Sequence, residues 1–124
     1  MTHASLAQAL RACASGIYAT EAATGLLIAH AAWLDRDDFS KFIYSDTAAE
    51  TAAIDWDAAV TALAAGELPS SSGEQKMLRI GASLASQAPV ILGDATTGLD
   101  DRNIQILVKA VRHAAGQRQF PSAS

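Results

Sequence analysis

The sequence predicts an all-α fold, a compact bundle of five or six short helices forming a single domain over residues 1–124. Three observations lead there. Of the 124 residues, 28 are alanine and only three are proline, and alanine costs least to place in a helix while letting neighbouring helices approach closely. Apolar residues recur at the three- and four-residue spacing of helix faces. Glycines and short polar caps interrupt these runs at short intervals. A chain of 12.9 kDa has room for one core and not for two.

The first helix, "SLAQALRACASG", opens with Ser5 and Gln8 at capping-box spacing and stops at Gly16. A second is expected from about Thr20 to Leu34, with Gly25 inside it marking a close crossing. "DRDDFSKFI" then sets Phe39, Phe42 and Ile43 on one face of a short helix, with Asp35 or Asp37 as its cap. "SDTAAETA" is ambiguous, although Thr47 and Glu50 again have capping-box spacing. "IDWDAAVTALAAG" is a helix capped by Asp55 and stopped by Gly66.

The next start is the best marked. Ser71 with Glu74, and Ser72 with Gln75, offer two capping-box registers for a helix from about Gly73 to Gln87, whose apolar face is Met77, Ile80, Leu84 and Ala85. Pro89 excludes helix locally, so "APVILGDATTGLD" reads as extended or turned; "PVIL" has the composition of a strand, but the sequence offers it no partner. The last helix runs from Asp100 or Asp101 to about Ala115, with Ile104, Leu107, Val108 and Val111 toward the core and Gly116 as its stop. The tail 117–124, "QRQFPSAS", is expected to be disordered.

"SSGEQ" at 71–75, a helix, "PVIL" at 89–92 and "TTGLD" at 96–100 form an order that resembles the signature-to-D-loop part of ATP-binding cassette ATPases. Matching the last element puts Gly93 where that family has its magnesium-coordinating aspartate and Asp94 where it has its catalytic glutamate. A glycine holds no metal, and the chain contains no G-x-x-x-x-G-K-[ST] loop to cradle phosphates. The same residues are accounted for as a capping box and a turn into a helix cap. Across roughly residues 5–116, including "AAIDWDAAVTAL" and "LPSSSGEQKMLRIGASLASQAPVILGDATTGLD", the chain is also similar to a group of short actinobacterial proteins without assigned function. That resemblance implies a compact helical protein and no activity.

Charge separates the two halves. Residues 1–70 carry nine acids against three bases, a net of −6, whereas residues 71–124 carry four acids against six bases, a net of +2. The overall −4 argues against nonspecific nucleic-acid binding. One cysteine, Cys13, cannot form an internal disulfide, and "MTHASLAQALRACASG" lacks the basic-then-apolar order of a secretory signal, so a cytoplasmic location is expected. "GLLIAHAAWL" is about half the roughly 20 residues that a membrane span needs, and no membrane partner is expected.

No constellation of catalytic or ligand-holding residues stands out. Asp35, Asp37 and Asp38 near His30 complement a helix start, and the stretch from Asp94 has the wrong spacing for a calcium loop, with Gln105 at its twelfth position. His3, His30 and His113 lack metal-ligand companions at motif spacing. Cys13 has no nearby base and reads as a small buried hydrophobe. Ser71 and Ser72 lack a nucleophile elbow. No catalytic residue, metal or cofactor is therefore expected, and a small enzyme or a decayed nucleotide-binding fragment is the least favoured reading.

Two surfaces are candidates for binding. Trp33, Phe39, Phe42 and Trp56, with Tyr44 near them, form an aromatic cluster that is either the bulk of the core or a face for a protein partner. Arg102, Lys109, Arg112 and Arg118, in or beside the helix 101–115, would serve a nucleic-acid-binding regulator, although the connection before that helix is long for a helix-turn-helix. The leading expectation is a non-catalytic protein-interaction or regulatory module that forms homodimers, and nucleic-acid binding is the alternative.

Overall fold

The computed structural model describes residues 3–122, with side chains described from Ser5 onward. Helices α1 (His3–Ala14), α2 (Tyr18–His30), α3 (Trp56–Ala64), α4 (Ser72–Ser86), α5 (Leu92–Thr96) and α6 (Asp101–Ala114) make up most of it, with a short 3₁₀ helix at Asp37–Phe42. The fold is not purely helical. Strands β1 (Ile43–Asp46) and β2 (Thr51–Ile54) form an antiparallel hairpin that pairs Ile43 with Ile54 and Asp46 with Thr51.

That hairpin is the ambiguous segment of the sequence, and it corrects the all-α expectation. Asp46 accepts a hydrogen bond from the Ala49 N–H at 3.1 Å, closing the turn, and Glu50 supplies a positive φ of 56°. Alone, a two-stranded hairpin is marginal. Here α1 covers it, burying Ala52 against Ala9 and Leu10, with Leu6, Leu34, Ile43 and Ile54 around them. Thr47 and Glu50 are turn residues, and Ile43 begins a strand instead of sharing a helix face with Phe39 and Phe42.

Several helix ends follow the local signals. Asp55 caps α3 by accepting from the Ala58 N–H at 3.0 Å. Ser71 and Glu74 form the capping box of α4, with bonds of 3.2 Å from the Glu74 N–H and 2.8 Å from the Ser71 N–H; Gln75 instead donates to the Ser70 carbonyl. Gly16 and Gly66 follow the ends of α1 and α3 with φ of 98° and 79°, the left-handed backbone that glycine adopts without steric cost. Others differ. Ser5 lies inside α1, and Arg36, not an aspartate, takes the N-cap position of the 3₁₀ helix.

The second helix ends four residues early, at His30. Ala31 then adopts φ 72° and ψ −37°, which strains any residue bearing a Cβ. Ala31→Gly is expected to raise the unfolding free energy by about 1 kcal/mol, measured by urea denaturation; an unchanged or lower midpoint would show that Ala31 is not strained.

Helices α2 and α4 form a wall between two cores. On one side Ala23, Leu27, Leu78 and Ala82 meet Trp33, Phe39, Phe42, Trp56, Leu63 and Leu68. On the other, Ala22, Leu26, Met77 and Ile80 meet Leu99, Ile106, Leu107 and Phe120. Gly81 lets α3 approach α4, because a Cβ there would stand 2.8 Å from the Trp56 ring. Residues 88–91 are irregular and not a strand, and the five-residue α5 follows them.

The C-terminal tail is also corrected, since residues 117–122 fold back as a strap. Phe120 is buried against Gly25 on α2, so the close approach at that glycine is made by an aromatic ring and not by a crossing helix. His113 Nδ1 accepts from the backbone N–H groups of Gln119 (3.0 Å) and Phe120 (3.2 Å). Its Nε2 therefore carries the proton and donates to Glu21 at 2.8 Å. Residues 123–124 lie outside the described residues.

Candidate interaction surface on the last helix

Of the two readings of the aromatic cluster, core or partner face, Trp33, Phe39, Phe42 and Trp56 take the first. Trp33 and Phe39 are completely buried, and Phe42 and Trp56 nearly so. Trp33 packs on Phe39 at 5.5 Å between ring centroids and donates its indole N–H to the Glu74 carbonyl at 2.8 Å. They present no surface to a partner; Tyr44 alone of the cluster stands exposed, on the hairpin. Cys13 is exposed, contrary to its expected burial.

An aligned exposed apolar stripe lies elsewhere, on α6, while Ile17, Tyr18, Ile91 and Leu92 are exposed outside it. This helix carries two overlapping apolar stripes, and packing chose between them. Asn103, Ile106, Leu107, Ala110 and His113 face inward, whereas Ile104, Val108 and Val111 are 42%, 45% and 55% exposed. Of the expected inward residues only Leu107 is buried. The rotation follows from His113: with both ring nitrogens hydrogen-bonded, a polar side chain can be buried, and satisfying it turns the β-branched stripe outward. Asp100 caps the helix through the Asn103 N–H at 2.8 Å.

The basic residues flanking this stripe are not equivalent. Arg102 is tied to the fold, donating to the Ala29 carbonyl at 2.8 Å. Arg118 lies on the strap, 4.0 Å from Glu21. Lys109 and Arg112 are exposed near the C-terminal end of α6, while Asp94, Asp100 and Asp101 are exposed at or before its N-terminal end. The helix is therefore acidic at one end and basic at the other.

The two motif segments of the sequence do come together, as the wall of a polar recess lined by His30, Ser71, Glu74, Asp100, Arg102 and Asn103. Their polar groups serve the fold. Glu74 and Asp100 are occupied as caps, Lys76 donates its ammonium to the Thr97 carbonyl, and Gly73 lies close to the Asn103 amide. Among the described residues no group of three or more His, Cys, Asp or Glu could hold a metal ion, and the His3 side chain is outside them. No described helix is long and apolar enough to cross a membrane.

Glu21, Glu74 and His30 tie stability to pH in one direction. The His113 imidazole and the Gly16 N–H hold Glu21 below the usual glutamate range, and the Ser71 N–H and hydroxyl do the same for Glu74. Burial, with Arg102 nearby, pushes His30 below the usual imidazole range. A folded-state value lower than the unfolded one means that the unfolded chain binds protons first, so stability is full above the unfolded value and declines as pH falls toward the folded one. Thermal stability is expected to decline first as pH falls through the ordinary histidine range and again as it falls through the ordinary glutamate range. His30→Gln should remove the first stage alone; if both stages persist in that variant, the assignment to His30 is wrong.

No protein family model, curated protein or solved structure matches the chain.

Proposed function

We propose that this chain is a non-catalytic protein-interaction module whose docking element is the outward face of α6. One observation carries the reading: Ile104, Val108 and Val111 form a continuous exposed apolar stripe on a helix whose opposite face is already fully engaged with α2 and the strap. Single exposed apolar residues are ordinary, but an aligned set rimmed by charges marks a contact surface. The chemistry of the recess between α4 and α6 supports the same reading, because its carboxylates and Arg102 are engaged in capping and cross-linking the fold.

The reading is tested by placing a photo-crosslinking amino acid at position 108 in the native cell, with position 47 on the hairpin turn as the control. A discrete protein adduct from 108, absent from 47 and lost when Ile104 and Val111 are changed to serine, is the expected result. No adduct, or equal labelling from both positions, would overturn it.

A nucleic-acid regulator is the second reading, favoured by exposed Lys109, Arg112 and Arg118. Against it, the N-terminal end of α6, the end a recognition helix presents to bases, carries Asp100 and Asp101, which repel phosphate. It predicts nucleic-acid adducts from position 108 and binding that falls steeply with salt.

A further inference from the structure

We infer that the occupant of the α6 face is a second copy of this chain, packed antiparallel about a two-fold axis that passes beside Val108. The inference rests on the reading of α6 as the docking element and adds the partner and the register. An isologous contact requires a self-complementary surface, and α6 has one in both its apolar and its charged residues.

The apolar part sets the centre. At about 100° per residue, Ile104, Val108 and Val111 lie within one narrow sector of the helix. When two such helices run antiparallel, Val108 meets Val108 of the second copy, and Ile104 meets Val111. The charged part sets the direction. Asp101 and Arg112 fall on the same flank of the stripe, roughly 60–80° from Ile104, and a two-fold axis perpendicular to the helices brings like flanks together. Asp101 of each copy then lies on the same side of the contact as Arg112 of the other. A parallel arrangement brings opposite flanks together and would set Asp101 of one copy against Asp100 of the other, acid against acid, leaving Arg112 without an opposite charge.

Three apolar side chains cover less than the ~800 Å² per partner of a standard interface. The dimer is therefore weak, with a dissociation constant on the order of 10–100 µM, and depends on salt at its rim and not at its centre.

Sedimentation equilibrium of the full chain, from concentrations well below that range to well above it, provides the test. The wild-type chain is expected to dimerise, and Val108→Asp to remain monomeric with an unchanged helical circular dichroism spectrum. D101K alone and R112E alone each juxtapose like charges twice and should weaken association about tenfold. An equimolar mixture of the two variants restores both opposite-charge pairs in a heterodimer and should recover the wild-type affinity. Because each variant serves as a folding control for the other, recovery in the mixture cannot be a loss of structure.

Dimers that survive Val108→Asp would overturn the inference, as would a mixture no tighter than its components. A monomer at every concentration, together with protein adducts from position 108 in the cell, would overturn the second copy as occupant and leave the docking face intact. Absence of both would overturn the proposed function as well.

Discussion

Trp33→Ala is expected to remove about 4 kcal/mol of stability, the range found when a buried large aromatic is truncated. Trp33 is fully buried, packs against Phe39 with the rings tilted by 48° and anchors the start of α4 through the Glu74 carbonyl. Its loss creates a cavity where the segment after α2, the 3₁₀ helix and α4 converge. Small domains have only about 5–15 kcal/mol in total, so the loss is a large fraction of the whole and the urea midpoint should fall markedly. Trp33→Phe keeps most of the apolar volume and loses the indole donor, which should cost roughly 1–2 kcal/mol. Equilibrium urea unfolding of both variants measures these values. A loss below about 1 kcal/mol for the alanine variant would mean that the aromatic cluster is not the core.

Gly25→Ala and Phe120→Ala are expected to cost nearly the same, about 3 kcal/mol each, and not to add. A Cβ at Gly25 would overlap the Phe120 ring, so either substitution ends with the strap detached from α2. Once it is detached, the alanine at position 25 has no clash to make and regains its helix propensity. Adding Gly25→Ala to Phe120→Ala should therefore cost nothing, or stabilise by up to about 1 kcal/mol. The local signature is faster amide exchange at Gln119 and Phe120, whose N–H groups bond to His113 Nδ1. Additive losses in the double variant would show that the ring and the glycine do not meet.

Both results bear on how the tail was misjudged. "QRQFPSAS" has the composition of a frayed end, and one phenylalanine in it carries no periodicity. The feature that orders it is a glycine 95 positions earlier and a histidine whose two nitrogens satisfy groups from different elements. A clue was present: Gly25 stands in the middle of an apolar helix, where glycine costs stability unless something approaches closely. The hairpin escaped for a related reason. Its residues are too short a run to announce a strand, and Thr47 with Glu50 imitates a helix cap.

The α6 face shows the limit of periodicity. Ile104, Val108 and Val111 form the more apolar of two stripes that share Leu107, so hydropathy alone selects them for the core. Their outward position follows from the partners of His113, which no local pattern contains.

What the sequence by itself determined is the set of local stops and starts. The Ser71–Glu74 and Asp55 caps, the glycine breaks after α1 and α3, and the extents of α3, α4 and α6 follow from groups within a few residues of one another, whose hydrogen bonds and backbone preferences need no distant partner. Tertiary structure alone decided the existence of the hairpin, the rotation of α6 and the seating of Phe120. Each depends on burying a surface or pairing a polar atom against a segment far along the chain, and that free energy exists only when both sides are assembled.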